Sequence, residues 1–479
     1  MVIRMVDEDR SHSLAEGFQS PVHFVGIGGY GMSGLALVLH AHGIPVEGCD
    51  VSESSRVQML RDRGIPVTIG HDPSHVRFAG TIVYSTDVPE DLDELSAARE
   101  SGMAVLHRSR VLARLFEVYA RGIAITGTHG KTSCTAMLGA AMEAAGKDPT
   151  VVVGGEMGAA GLTARVGASE FLVAEACESD GTFLEYRPWS GIWTNVEPEH
   201  LEHYEGSFDR QKEAFGDFIS GIDPRGFLIM NASDDDSRSL AWRASPRIIW
   251  CGVEDRAEPR LGVVPDYSAR SVDLRPDGSG FCLYRGAERM GRLRISVPGR
   301  HVVQNALMVA AAALETGAGF EGIARGLSEY SGVRRRFEIV GAVDGVRIVD
   351  DYAHHPTEVR ATLLAARGMA GNGRVLAVFQ PQRYTRTRDL MEEFGRAFDG
   401  ADELILTPIY APPGQGEIPG VSSDALAERV RRHSGIEVSV MADPSDMKEF
   451  IAASVSPGDV VITMGAGDIW KLARDLVKG

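Results

Sequence analysis

From Pro21 onward the apolar positions come in short runs, separated by glycine-rich turns and by longer stretches with helical spacing. Val22 to Gly26 is the kind of run a buried parallel strand needs, Gly31 to His42 has the length and composition of a helix, and Pro45 to Asp50 and Thr81 to Ser85 read as strands again. That alternation predicts a parallel sheet with crossover helices. The pattern restarts at Arg121 with the strand GIAIT, a second glycine-rich turn and a helix from Lys131 to about Ala145, and buried strands follow at Phe171 to Ala174 and Gly191 to Thr194.

Between Asp255 and Val297 the segments become short, alternating and rich in Arg and Gly, which predicts antiparallel hairpins. An Ala-rich helix from Val302 to Thr316 closes this region, and the Arg-rich GVRRRF at Gly332 to Phe337 forms a junction. A third α/β set follows, with strands at Arg347 to Asp350, Val375 to Phe379, Glu403 to Leu406 and Val460 to Thr463. The fold class is therefore α/β. The three restarts are too unlike one another to be repeats.

Length and composition agree with this picture. A chain of 479 residues is too long for one core and suggests three domains, and 44% apolar with 24% charged residues is an ordinary globular balance. A net charge of -17 argues against nucleic acid as a partner, while leaving room for small anionic ligands in local basic pockets. Cys49, Cys134, Cys177, Cys251 and Cys282 are dispersed without a C-x-x-C pair, so neither a disulfide framework nor a zinc knuckle is indicated. The N-terminal stretch is acidic and lacks an apolar core, and the longest apolar stretch, Ala306 to Leu314, falls short of the ~20 residues of a spanning helix. A cytoplasmic protein without membrane insertion is expected.

Candidate chemistry gathers at strand ends. Gly26-Ile27-Gly28-Gly29-Tyr30-Gly31 is a G-x-G-x-x-G turn between strand and helix, with Asp50 ending the next strand; glycines there let backbone approach a pyrophosphate on the positive end of a helix. The turn suits a nicotinamide or flavin dinucleotide or any other nucleotide diphosphate, and points to a pyrophosphate more strongly than to a nicotinamide cofactor. Thr126-Gly127-Thr128-His129-Gly130-Lys131-Thr132 ends in G-K-T in the same context, with Ile125 where the first glycine of the strict phosphate loop would stand. Its amides would cradle phosphates, Lys131 would reach the terminal phosphate and Thr132 would hold Mg²⁺. Hard oxygen donors for that ion are at hand in Glu175, at the end of FLVAEA, and in Glu178 and Asp180 just beyond. His200 follows another strand end. The segments DDYAHHP from Asp350 and QPQRYTRTR from Gln380 also follow strands, and their arginines could grip a carboxylate bidentately.

Taken in order, HFVGIGGYGMSGLA, ITGTHGKTS, VAEACESD, TNVEPEHLEHY, PGRHVVQNA, GVRRRF, DDYAHHPTEV, FQPQRYTRT and MGAGDIW resemble the Mur ligase family across nearly the whole chain. The resemblance implies a Rossmann-like UDP-sugar domain at 1–117, a central phosphate-loop ATPase domain at 118–333 and a Rossmann-like C-terminal domain at 334–479. It implies ATP and Mg²⁺, with Mn²⁺ as a substitute, and an acyl-phosphate route joining L-alanine to the lactyl carboxylate of UDP-N-acetylmuramic acid in peptidoglycan precursor synthesis. In the same terms Gly26, Gly28, Gly29, Tyr30, Gly31, Met32, Asp50 and His71 serve the UDP-sugar, and Thr126 to Thr132 with Asn305 serve ATP. Thr132, Glu175 and His200 are implied as metal ligands, and Lys131, Glu175, His200, Arg336 and Asp351 as the catalytic set. Tyr352, His354, Arg383 and Arg386 fall at positions for the amino acid. A monomer or homodimer is expected.

Departures from the family pattern are Cys177 for an aspartate, Val302 for the first asparagine of H-N-x-x-N, Gln382 for a histidine and Asp87 for a small apolar residue. Lys212 is only loosely aligned with the carbamylated lysine of related ligases. Competing readings are a tripeptide ligase of the same family, an NAD-dependent oxidoreductase built on the first turn and Asp50, and a nucleotide-controlled binding protein without ligase chemistry.

Overall fold

The computed structural model describes residues 7–158, 160–254, 262–411 and 415–478. Its strands form three sheets. The first contains β1 (Val22–Val25), β2 (Val46–Asp50), β3 (Val67–Ile69), β4 (Thr81–Tyr84) and β5 (Ala104–His107), in the order β3-β2-β1-β4-β5. Every pairing in it is parallel. β1 is buried along its whole length, as expected of a central strand covered on both faces. The chain runs outward from β1 to β3 and then crosses back to β4, so strand order reverses beside β1. A crevice opens at such a reversal, at the carboxyl ends of the strands. The turn 26–31 leads from that edge into the helix Tyr30–Ala41.

The second sheet has ten strands. They are β6 (Arg121–Thr126), β7 (Thr150–Met157), β8 (Leu162–Arg165), β9 (Phe171–Glu175), β10 (Ser190–Trp193), β11 (Phe227–Asn231), β12 (Arg247–Val253), β13 (Tyr267–Arg275), β14 (Gly278–Arg285) and β15 (Glu288–Ile295). Their order is β15-β14-β13-β12-β11-β10-β6-β9-β7-β8, with β6 flanked by parallel β9 and β10. Both neighbours of β6 end where the phosphate loop begins. The expected hairpin region appears as β13 to β15; residues 255–261 of it lie outside the described residues. Beneath the sheet, Trp193 stacks on Phe215 at 5.3 Å and Phe183 on Phe218 at 5.1 Å between centroids. Truncating one such buried ring costs on the order of 3–5 kcal/mol, so this cluster anchors the strand that ends just before Thr194.

The third sheet contains β16 (Glu338–Val343), β17 (Val346–Asp351), β18 (Val375–Phe379), β19 (Glu403–Leu406), β20 (Glu437–Val440) and β21 (Val460–Met464), ordered β16-β17-β21-β18-β19-β20. The pattern reading began this set at Arg347 and missed β16, an antiparallel edge strand. A signal was available. Asp344 and Gly345 both have positive φ, at 49° and 83°, and Asp-Gly between apolar runs marks a two-residue hairpin turn.

The chain divides into two compact units, one of Met1–Ser271, Phe281–Leu293 and Gln304–Val333, the other of Val272–Gly280, Arg294–Val303 and Arg334–Gly479. No helix among the described residues is long and apolar enough to cross a membrane.

Candidate functional site

In the first unit, the phosphate loop is braced by the residues that follow β10. Thr128 N donates to Asn195 O at 3.0 Å, His129 N to Asn195 Oδ1 at 2.9 Å, and Thr194 Oγ1 to His129 O at 2.6 Å. Gly127 has φ 123°, and a Cβ there would lie 2.2 Å from Thr194 Oγ1, so this approach excludes any side chain. The loop feeds into the helix Lys131–Ala144, whose N-terminus carries partial positive charge toward any anion held there.

Lys131 folds back over this loop, donating to Thr128 O at 2.9 Å and pairing with Glu178 at 2.8 Å. Glu178 is 1% exposed. Burial, the largest single influence, disfavours the ammonium, but the neighbouring Glu178, Cys177 and Glu175 together outweigh it and hold the Lys131 pKa above its ordinary value. The cation is thus fixed before any ligand arrives. Thr132 Oγ1 donates to Glu175 Oε2 at 3.2 Å, and Glu175 Oε1 accepts Gly154 N at 2.6 Å. A hydroxyl and a carboxylate side by side at a helix N-terminus are the hard oxygen donors Mg²⁺ favours, and they fit that ion. Asn305, on the helix Arg300–Glu315, presents its amide to Gly130, where a Cβ would meet it at 3.1 Å.

His200 is set differently. It sits in a left-handed conformation after β10, with Nδ1 3.8 Å from Glu202. Its backbone N–H donates to Glu199 Oε1 at 3.4 Å. His129 turns its ring toward Glu197 at 3.6 Å.

The turn 26–31 is closed by protein groups. Gly26 N and Ile27 N donate to Cys49 O at 2.9 and 3.0 Å, and Gly28 N donates to Asp50 Oδ2 at 2.9 Å. Asp50 Oδ1 accepts Ser52 N at 3.2 Å, so both carboxylate oxygens serve the backbone. In the dinucleotide reading this carboxylate would instead receive a ribose hydroxyl. Arg56 stacks over Tyr30 at 4.0 Å, donates to Gly28 O and pairs with Glu156 at 2.8 Å. Met32 is buried in the following helix. His71 lies farther along the sheet edge, with Nδ1 2.7 Å from Glu94.

Arg108 approaches the same turn, its guanidinium 3.5 Å from where a Gly31 Cβ would stand, and pairs with Asp180 at 3.6 Å. Asp180 also accepts Thr86 Oγ1 at 2.8 Å, which joins the STDVPED and ESD segments. Sequence reading missed Arg56, Arg108, Asn195 and Gly154. Asn195 lay within the quoted TNVEPEH segment, but nothing local distinguished the others.

The second unit gathers its own set. Asp351, at the end of β17, is buried and accepts Ala353 N at 2.7 Å and Phe337 N at 2.9 Å. Burial raises its pKa to about 6 despite the opposing charge of Arg336. Arg336 and Arg335 both stack on Tyr352, at 4.9 and 4.8 Å, and Tyr352 meets His354 edge-on at 5.3 Å. Arg383 N donates to Tyr410 O at 2.9 Å, and Arg386 is buried against Gln382.

Three family models match in order: the Mur ligase family catalytic domain over residues 21–120, the Mur ligase middle domain over 125–313, and the Mur ligase glutamate ligase domain over 335–467. The UDP-N-acetylmuramate--L-alanine ligase of Symbiobacterium thermophilum is 47% identical over 466 residues, covering 95% of this chain and 94% of the relative. The enzyme of the same name from Sorangium cellulosum is 42% identical over 457 residues, covering 95% of both chains. Among solved structures, UDP-N-acetylmuramate-alanine ligase from Thermotoga maritima matches with TM-score 0.79 and 28% identity, over 95% of this chain and 98% of that one. A murein peptide ligase from Psychrobacter arcticus shares the fold, with TM-score 0.69 at 22% identity over 95% of this chain and 98% of that one.

Proposed function

The chain belongs to the Mur ligase family, as an ATP-dependent ligase that joins an amino acid to UDP-N-acetylmuramic acid in peptidoglycan precursor synthesis, and from that premise we propose that the acceptor is L-alanine and the intermediate an acyl phosphate. The lactyl carboxylate attacks the γ-phosphorus of ATP and ADP leaves. The free amine of L-alanine then attacks the activated carbonyl, and phosphate departs as the amide forms. Segments 1–117, 118–333 and 334–479 hold the sugar nucleotide, the ATP phosphates and the amino acid respectively.

The loop 126–132, with its fixed cation, is the observation that carries this reading. Lys131 offsets charge on the transferring phosphoryl group. Thr132 and Glu175 would hold Mg²⁺, with His200 completing the set, and the ion would neutralise phosphate charge. Asn305 would meet the adenine. Gly26, Gly28, Gly29, Tyr30, Gly31, Met32 and Asp50 shape the diphosphate turn, and Arg108 supplies a cation beside it. His71, engaged with Glu94, would reach the sugar nucleotide only through its other nitrogen. Arg336, Tyr352, His354, Arg383 and Arg386 would receive L-alanine, with Asp351 positioning Phe337 and Ala353 through their amides.

The test is phosphate release from MgATP with UDP-N-acetylmuramic acid, comparing L-alanine with other amino acids and a stem tripeptide, with the product weighed by mass spectrometry. Alanine-dependent release with the amide mass is the expected result. Release only with the tripeptide would overturn the acceptor assignment.

A further inference from the structure

We propose that His23, Cys49, His71 and Glu94 form a site for one zinc ion in the first sheet, behind the turn 26–31. His23 sits on β1 and Cys49 on β2, His71 follows β3, and Glu94 belongs to the helix Asp93–Glu100. Ligand atoms of His23, Cys49 and Glu94 lie within 4.8 Å of one another, and all three residues are buried. Cys49 Sγ stands 3.4 Å from His71 Nδ1 and 3.3 Å from Glu94 Oε2, while His71 Nδ1 stands 2.7 Å from that same oxygen. Zinc bonds of about 2.0–2.3 Å in a tetrahedron put neighbouring ligand atoms about 3.3–3.7 Å apart, so the cysteine contacts already have that spacing. The His71–Glu94 contact would open by under about 1 Å on the same geometry.

A second observation is independent of the spacing. His23 is 3% exposed; its Nδ1 faces Glu47 at 3.3 Å, and its buried Nε2 meets no polar atom. A carboxylate on one imidazole nitrogen with the other directed to a metal is the usual orientation of a ligating histidine. Glu94 is prepared likewise: Oε1 accepts Asp72 N at 2.9 Å and faces His75 Nδ1 at 2.8 Å, which leaves Oε2 toward the cysteine and His71.

Thiolate and imidazole donors select zinc over magnesium, in contrast to the oxygen donors beside the phosphate loop. The Cys49 proton passes to solvent as the ion binds. Because Cys49 O holds the amides of Gly26 and Ile27, a metal bond to the same residue would stiffen the turn that receives the diphosphate.

The test uses the full chain, stripped with a chelator and titrated with Zn²⁺ or with Co²⁺ as a spectroscopic substitute. One zinc per chain by elemental analysis and a thiolate-to-cobalt charge-transfer band are expected. Cys49→Ser should lose the band, and Cys177→Ser, which removes a cysteine outside the proposed site, should keep it. His23→Gln should weaken zinc affinity at least about tenfold. Absence of the band in the native chain, its persistence in Cys49→Ser, or unchanged affinity in His23→Gln would overturn the site. If Cys49→Ser fails to fold by circular dichroism, the His23→Gln and Cys177→Ser affinities decide the matter.

Discussion

The turn 26–31 and the loop 126–132 both leave a buried parallel strand and enter the first turn of a helix, yet the charges around them are arranged in opposite ways. At 126–132 a lysine is held over the loop by a buried glutamate, and a hydroxyl–carboxylate pair stands at the helix start. At 26–31 the nearest carboxylate is consumed by backbone amides, and Arg56 clamps the turn from outside by stacking on Tyr30 and gripping Gly28 O. Helix dipole and glycine backbone suffice to hold a diphosphate in place. Transfer of a phosphoryl group needs a fixed cation and a metal as well. In the proposed function similar backbones would therefore serve binding in one case and chemistry in the other, with the side chains setting the difference.

Lys131→Ala should break the comparison most severely. Phosphate release should fall by at least about a thousandfold while UDP-sugar binding by calorimetry persists. The variant should also lose stability, because Glu178 is left buried and unpaired, a cost on the order of 3–5 kcal/mol. Glu175→Gln should lower turnover by roughly a hundredfold and raise the Mg²⁺ concentration needed for half-maximal rate, since it removes one charged donor. Turnover insensitive to that change would detach Glu175 from the metal.

The first turn should respond in KM instead. Arg56→Ala is expected to raise the KM for UDP-N-acetylmuramic acid about tenfold, the scale of one lost charged contact, with kcat and the KM for ATP little changed. A fall in kcat alone would place Arg56 in the chemistry and erase the distinction. Asp50→Asn should cost least, because an amide oxygen can still accept Gly28 N; a few-fold rise in the same KM is expected.

Asp351 sharpens the contrast from outside both turns, being a buried carboxylate without a cation as close as Lys131 is to Glu178. Its pKa rises from 3.8 to about 6, so the native state binds the proton more tightly than the unfolded chain does. Its contribution to stability therefore declines as pH rises from about 4 to about 6 and is level above that, by up to about 3 kcal/mol. Asp351→Asn should reduce the slope of the urea midpoint over that window. Asp234, also raised by burial to about 6, should keep some slope in the variant.

The glycine turns, Lys131, Thr132 and Glu175 stood out as candidates because each lies at a strand end, the edge where ligands of parallel sheets bind, and the two turns need glycine in their backbone. The central strands were legible for a similar reason, as unbroken apolar runs. Edge elements were not: β16 alternates between half-buried and exposed positions, and β3 has only one buried residue. His200 owes its proposed role to the family resemblance, and its left-handed backbone sets the ring beside Glu202.

What the sequence determined by itself is the α/β class, the three restarts, the family and the position of the two glycine turns, because these depend on residues adjacent in the chain. Tertiary structure alone decided that Lys131 pairs with Glu178, that Arg56 reaches Glu156 and Arg108 reaches Asp180, and that His23, Cys49 and Glu94 converge. Partners separated by dozens of residues leave no local pattern. Only the packing of strands and helices brings their charges within a few ångströms, where burial makes each interaction strong.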